Sequence, residues 1–141
     1  MMMPDVNVLV YAHREESHAH KRYAEWLTAL ALGPEPFALS ERVLEGFVRV
    51  VTNPRIFDPS SPSALAFRFL DALIARPGCS LIRPGPHHME IFRKLCESHK
   101  LKGKLVADAA HAALAIESGC EWVSADTDFA RFAPLLRWRH L

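Results

Sequence analysis

An α/β layer fold with a mostly parallel sheet is what this sequence predicts, on three observations. Short apolar runs of β-prone residues alternate with helix-length segments from one end of the chain to the other. The proline-rich stretch Asn53 to Ser63 reads as a loop rather than an interdomain linker, because no second core follows it, so residues 1–141 form a single domain. Leu105 to Gly119, LVADAAHAALAIESG, is apolar up to Ile116 except at Asp108 and His111, the pattern of a helix buried on most of its circumference.

Taken in order, Pro4 to Tyr11 (PDVNVLVY) predicts a short strand ending near Val6 and then a helical turn capped by Asn7, with Val8, Leu9 and Tyr11 on it. Ser17 to Leu32 has the spacing of an amphipathic helix, with Ala19, Tyr23, Trp26, Leu27 and Leu30 on one stripe and Gly33 as its stop. Phe37 to Leu39 suits a buried strand, and Ser40 caps the helix after it. There Val43, Leu44, Phe47, Val50 and Val51 face inward, while Glu41, Arg42, Glu45 and Arg49 share the opposite side, with Glu45 and Arg49 spaced as an i, i+4 ion pair. A helix from Ser63 to Arg76 ends at Pro77-Gly78, and Cys79 to Ile82 is the next strand. Pro86 opens a helix carrying Ile91, Phe92, Leu95 and Cys96, and the basic link HKLKGK leads into the alanine-rich helix. Cys120 to Ala125 reads as a strand, Asp126 caps a short helix with Phe129 and Phe132, and Leu136 to His140 forms a last edge strand.

Bulk composition narrows the function classes. Seventeen Lys and Arg balance sixteen Asp and Glu, so net charge gives no argument for a nucleic-acid partner, and any such partner must be inferred locally. No apolar run is long enough for a membrane span and no signal-peptide pattern is present, so an intracellular, cytoplasmic protein with no membrane association is expected. Three cysteines without CxxC spacing indicate reduced core thiols, neither a disulfide framework nor a zinc site. The eight histidines lack the i, i+4 spacing of helical metal ligands.

The informative residues are acids. A buried bare carboxylate costs several kcal/mol or more, so Asp108 needs a cation, a hydrogen bond or a salt bridge, for example to Lys100, Lys102 or Lys104. In parallel sheets, sites form beyond the carboxyl ends of the strands. Asp5, Glu41 and Asp126, with Asp128, stand at such strand-to-helix turns, and Asp108 joins them from the first turn of its helix. Singly, each of the first three also serves as a cap or a first-turn acid. Together, carboxylates without Cys or His suit a hard cation, Mg²⁺ or Mn²⁺. Glu45 is a weaker candidate because of Arg49, and Asp128 because it is commonly a solvated first-turn acid.

Four blocks then carry a resemblance. DVNVLVYAHR at Asp5, SERVLEGFVRVVTNPRIF at Ser40, VADAAHAALA at Val106 and SADTDFARF at Ser124 resemble the motif blocks of the PIN domain, specifically the VapC toxin ribonucleases of bacterial toxin–antitoxin pairs. The resemblance implies a three-layer α/β/α domain, a homodimer, an acidic Mg²⁺ site that cuts RNA, and a cognate VapB-like antitoxin that blocks it. It matches Asp5 and Asp108 to the metal-binding acids and Asp126 to the acid after the last strand. Where many family members carry a glutamate in the second block this chain has Gly46, which leaves Glu41 or Glu45 as the second acid.

The resulting expectation is a Mg²⁺-dependent endoribonuclease in which Asp5, Asp108 and Asp126 hold metal, Glu41 orients the water, and Asn7 supports the acids from behind. Arg55, Lys102 and Lys104 are candidates for RNA phosphates. Two rivals stand beside it: a PIN-like binding protein without nuclease activity, which the Gly46 departure favours, and a phosphatase or phosphoacceptor using Asp5 as nucleophile. Against the latter, Asn7 occupies the place where a haloacid-dehalogenase-like pattern has a second aspartate.

Overall fold

The computed structural model describes residues 1–141. Its order is β1 (Met2–Pro4), α1 (Val6–His13), α2 (His20–Leu32), β2 (Phe37–Ser40), α3 (Glu41–Val51), α4 (Ser63–Ile74), β3 (Cys79–Ile82), α5 (His88–His99), α6 (Lys104–Ser118), β4 (Glu121–Ser124), a 3₁₀ helix (Thr127–Phe132) and β5 (Trp138–His140). All five strands are parallel, in the order β3-β2-β1-β4-β5. The chain therefore builds outward from β1 in one direction, then crosses back to place β4 on β1's other side. With right-handed crossovers that reversal puts α1 to α4 on one face and α5 and α6 on the other, the three-layer α/β/α arrangement expected. Packing of α1 on α2 and α3, and of α5 on α6, agrees.

Local chemistry explains the boundaries. Ser40 caps α3 as predicted, its hydroxyl accepting from the Val43 N–H at 3.2 Å. Gly119 closes α6 in the left-handed conformation (φ 68°), a geometry that costs glycine nothing, and the Cys120 N–H returns to the Ala115 carbonyl. Trp122 and Phe129 are fully buried, and the three free cysteines are buried or half-buried.

Three boundaries differ from expectation. The first strand stops at Pro4, and Asp5, not Asn7, caps α1: its Oδ1 accepts from the Val6 N–H at 2.6 Å, which leaves Asn7 inside the helix. A carboxylate is as good a cap as an amide. Helix α2 begins at His20, because Ser17 and His20 close turns onto Arg14 and Ser17, and Ala19 sits exposed at φ 57° rather than on the apolar stripe. Asp108 falls in the second turn of α6, since the helix already starts at Lys104.

Candidate metal centre

Strand order decides where a site forms. The direction of chain progression reverses between β1 and β4, so their carboxyl ends flank the crevice of the sheet. Asp5 leaves β1 and Asp126 follows β4, and the Asp5 N–H bonds the Val123 carbonyl at 2.8 Å to hold the two ends together. Above them lies a cleft of about 670 Å³ whose lining includes Asp5, Asn7, Tyr11, Arg49, Lys104, Asp108, His111 and Asp126.

The Asp108, Asp126 and Asp128 side chains each offer a carboxylate oxygen, and these oxygens lie within 4.8 Å of one another. Asp108 is buried and its Oδ2 has no hydrogen-bond partner. The Asp126 Oδ1 accepts from the Asp128 N–H at 2.9 Å, and its Oδ2 is 3.1 Å from Lys104 Nζ. The lysine link anticipated for Asp108 is thus made to Asp126. Burial holds the Asp108 pKa above the usual carboxylate range against the pull of Lys104, and Asp126 and Asp128 push it further up. For Asp126, partial burial also raises the pKa, but the Asp128 N–H and Lys104 outweigh it and the net shift is downward.

Asp5 is held differently. Its Oδ2 accepts from the Ser124 hydroxyl at 2.6 Å and from Asn7 Nδ2 at 3.1 Å. Asn7 Nδ2 also reaches Ser124 Oγ at 3.1 Å, and its Oδ1 accepts from the Ala125 N–H at 3.1 Å. Burial raises the Asp5 pKa to about 6; the bonds from Ser124 and Val6 lower it, while the charges of Asp108 and Asp126 add to the rise. His111 stacks on Trp122, and burial together with the Arg42 charge lowers its pKa to about 4, so its imidazole is neutral.

Of the residues singled out from the sequence, Asp5, Asn7, Lys104, Asp108 and Asp126 line the cleft, and Asp128 completes the compact acidic trio. Glu41 is not among them. It is exposed and paired with Arg83 at 2.6 Å, because β2 adjoins β3 on the side of the sheet away from the crevice. Glu45 is exposed too, in a separate groove with Leu44, Val48 and Phe67 between α3 and α4. Arg55 and Lys102 are exposed and do not line the cleft. Ser124, Arg49 and His111 were not predicted as site residues. A serine inside the apolar run before Asp126 was the available signal for the first.

A divalent cation fits this centre on its own chemistry: three convergent carboxylates, no sulfur or imidazole donor among them, and an orphaned buried oxygen. A PIN domain model matches residues 2–135. The chain is 48% identical over 141 residues to the VapC ribonuclease Mb2897 of Mycobacterium bovis, covering 99% of this chain and 95% of that protein. It is 41% identical over 141 residues to the ribonuclease VapC25 of Mycobacterium tuberculosis, covering 100% and 97%. The fold superposes on VapBC2 from Rickettsia felis, bound to a DNA fragment from its promoter, with a TM-score of 0.71 at 22% identity, covering 99% and 97%. This chain belongs to the PIN-domain family and, within it, groups with the VapC proteins.

Proposed function

We propose that the protein is a divalent-metal-dependent endoribonuclease, the toxin of a VapBC-type toxin–antitoxin pair, hydrolysing RNA phosphodiester bonds at Asp108, Asp126 and Asp128 with Asp5 alongside. The observation that carries the reading is the unpartnered, buried Asp108 Oδ2 within that trio, inside a cleft at the switch point of the sheet. Mg²⁺ or Mn²⁺ held by these aspartates supplies charge neutralisation at the phosphodiester and activation of water.

The chain's own residues do the rest. Ser124 and Asn7 hold the Asp5 carboxylate in place and tie the β1 and β4 ends together. Lys104 limits the repulsion around Asp126. No glutamate is assigned, since Glu41 and Glu45 both lie outside the cleft. The acidic mouth also suits an arginine or lysine from a VapB-like antitoxin as a surrogate cation, and a homodimer is part of the same reading.

What favours this over a phosphoacceptor is that both Asp5 oxygens are already engaged by donors, whereas Asp108 has a free one. The test is RNA cleavage by purified protein with Mg²⁺, Mn²⁺ or EDTA, beside Asp108→Asn and a calorimetric Mn²⁺ titration. Cleavage abolished by EDTA and by the substitution is expected. Full activity in the variant ends the proposal, and absence of both Mn²⁺ binding and cleavage in the wild type favours a binding protein.

A further inference from the structure

We propose that Arg49 grips the non-bridging phosphate oxygens of the RNA backbone within the cleft that the carboxylates line, an assignment that rests on the ribonuclease reading above. The i, i+4 pair that the sequence offered between Glu45 and Arg49 does not form. Glu45 lies in the groove between α3 and α4, while Arg49 lines the cleft that holds Asp5, Asp108 and Asp126.

A Cβ on Gly46 would stand 2.9 Å from Val6 Cγ2, so with valine at position 6 it is the missing side chain of Gly46 that lets α3 come this close to the start of α1. Arg49 and Val50, three and four positions further on, share the Gly46 face of the helix, and close approach carries both to the cleft.

Two cations line that cleft, and they are used differently. Lys104 is bound to Asp126. Arg49 makes no side-chain hydrogen bond and has no carboxylate within ion-pair distance, although three carboxylates line the same cavity. A guanidinium that shares a cleft with acids and pairs with none keeps its whole fork of donors for a ligand. The matching ligand is anionic, offers two acceptor oxygens to the guanidinium fork and meets the acidic centre through a bound cation, which describes the phosphodiester of the proposed substrate.

The test compares Arg49→Gln, Arg49→Lys and the off-cleft control Arg22→Gln, an exposed residue of α2. Binding of a short fluorescein-labelled single-stranded RNA is followed by anisotropy over a salt series, all in an Asp108→Asn parent so that no cleavage occurs. Arg49→Gln should weaken binding by about tenfold and flatten the salt slope by about 0.7, the share of one phosphate contact on a single strand. Arg49→Lys should fall between, with the slope kept. In the otherwise native protein KM should rise more than kcat falls, and Mn²⁺ binding should be unchanged. Parent-like affinity and slope in a folded Arg49→Gln protein overturns the assignment while leaving the nuclease reading intact. If that variant does not fold, parent-like affinity in Arg49→Lys overturns it, and intermediate affinity with the slope kept supports it. Wild-type protein that leaves RNA uncut overturns the nuclease reading, and this one with it.

Discussion

The Ser124 hydroxyl donates a 2.6 Å hydrogen bond to Asp5 across 119 residues of sequence, joining the carboxyl ends of two neighbouring parallel strands. Both residues are buried, and the same oxygen of Ser124 also accepts from the Asp126 N–H at 2.9 Å. One side chain therefore sets the position of two of the acids.

Ser124→Ala should accordingly cost about 1–3 kcal/mol of stability, the penalty for stranding buried polar groups. It should also raise the Asp5 pKa further, since this bond is the largest influence holding it down. Urea unfolding reads the first effect, and a shift of the cleavage pH profile to higher pH reads the second. A variant with the wild-type profile would show that Ser124 only fills space.

Asp5 and His111 oppose one another in the response of the metal-free protein to acid. Asp5 rises from 3.8 to about 6 on folding, so between those values the native state holds the extra proton and stability grows as the pH falls. His111 drops from 6.5 to about 4, so over nearly the same window the unfolded state holds the extra proton and stability shrinks. Each shift corresponds to roughly 3 kcal/mol, and the two largely cancel in the wild type. His111→Phe, which keeps a ring on Trp122, should gain stability relative to wild type as the pH falls from 6.5 to 4. Asp5→Asn should lose it. Urea midpoints across this range, taken in EDTA, decide; parallel curves for all three proteins would refute the opposition.

Gly46 and Val6 are predicted to be energetically coupled. Gly46→Ala gains about 1 kcal/mol of helix propensity but drives its methyl into Val6 Cγ2, and overpacking of this kind costs about 1–3 kcal/mol. A net loss is expected from the single variant, and recovery when Val6→Ala is added. A double-mutant cycle by thermal melts with no coupling beyond 0.5 kcal/mol, roughly the limit of additivity, would place the close approach elsewhere.

How much of this was readable beforehand follows from the range of each interaction. Alternation of short strands and helices, the Ser40 and Asp126 caps and the Gly33 stop are local, so the fold and most boundaries lay in the sequence. Asp108 was legible because a carboxylate among alanines has no local excuse. Strand order is not local: it separates β2 from the crevice, and only with it on view is Glu41 seen to meet Arg83 instead of Asp5. The roles of Ser124 and Arg49 were hidden for the same reason, since each depends on a strand or helix that arrives from far along the chain.

The two glutamates of α3 give the last prediction. Position alone favours Glu41 as a site residue, for it stands directly beyond the end of β2, where parallel sheets place their chemistry. Geometry removes that advantage: its carboxylate bonds Arg83 Nε at 2.8 Å, on an exposed rim and outside the cleft. Exposed pairs of this kind contribute about 0–1 kcal/mol, so Glu41→Gln should melt almost like wild type and should cut RNA at a rate within about twofold of it. Glu45→Gln should behave alike, because no ion pair with Arg49 exists to be lost. Cleavage assays of both purified variants at saturating Mn²⁺, with thermal melts as the folding control, test this. Loss of activity in a well-folded Glu41→Gln protein would mean that the end of α3 moves into the cleft when substrate binds; loss in both would return a glutamate to the acidic centre.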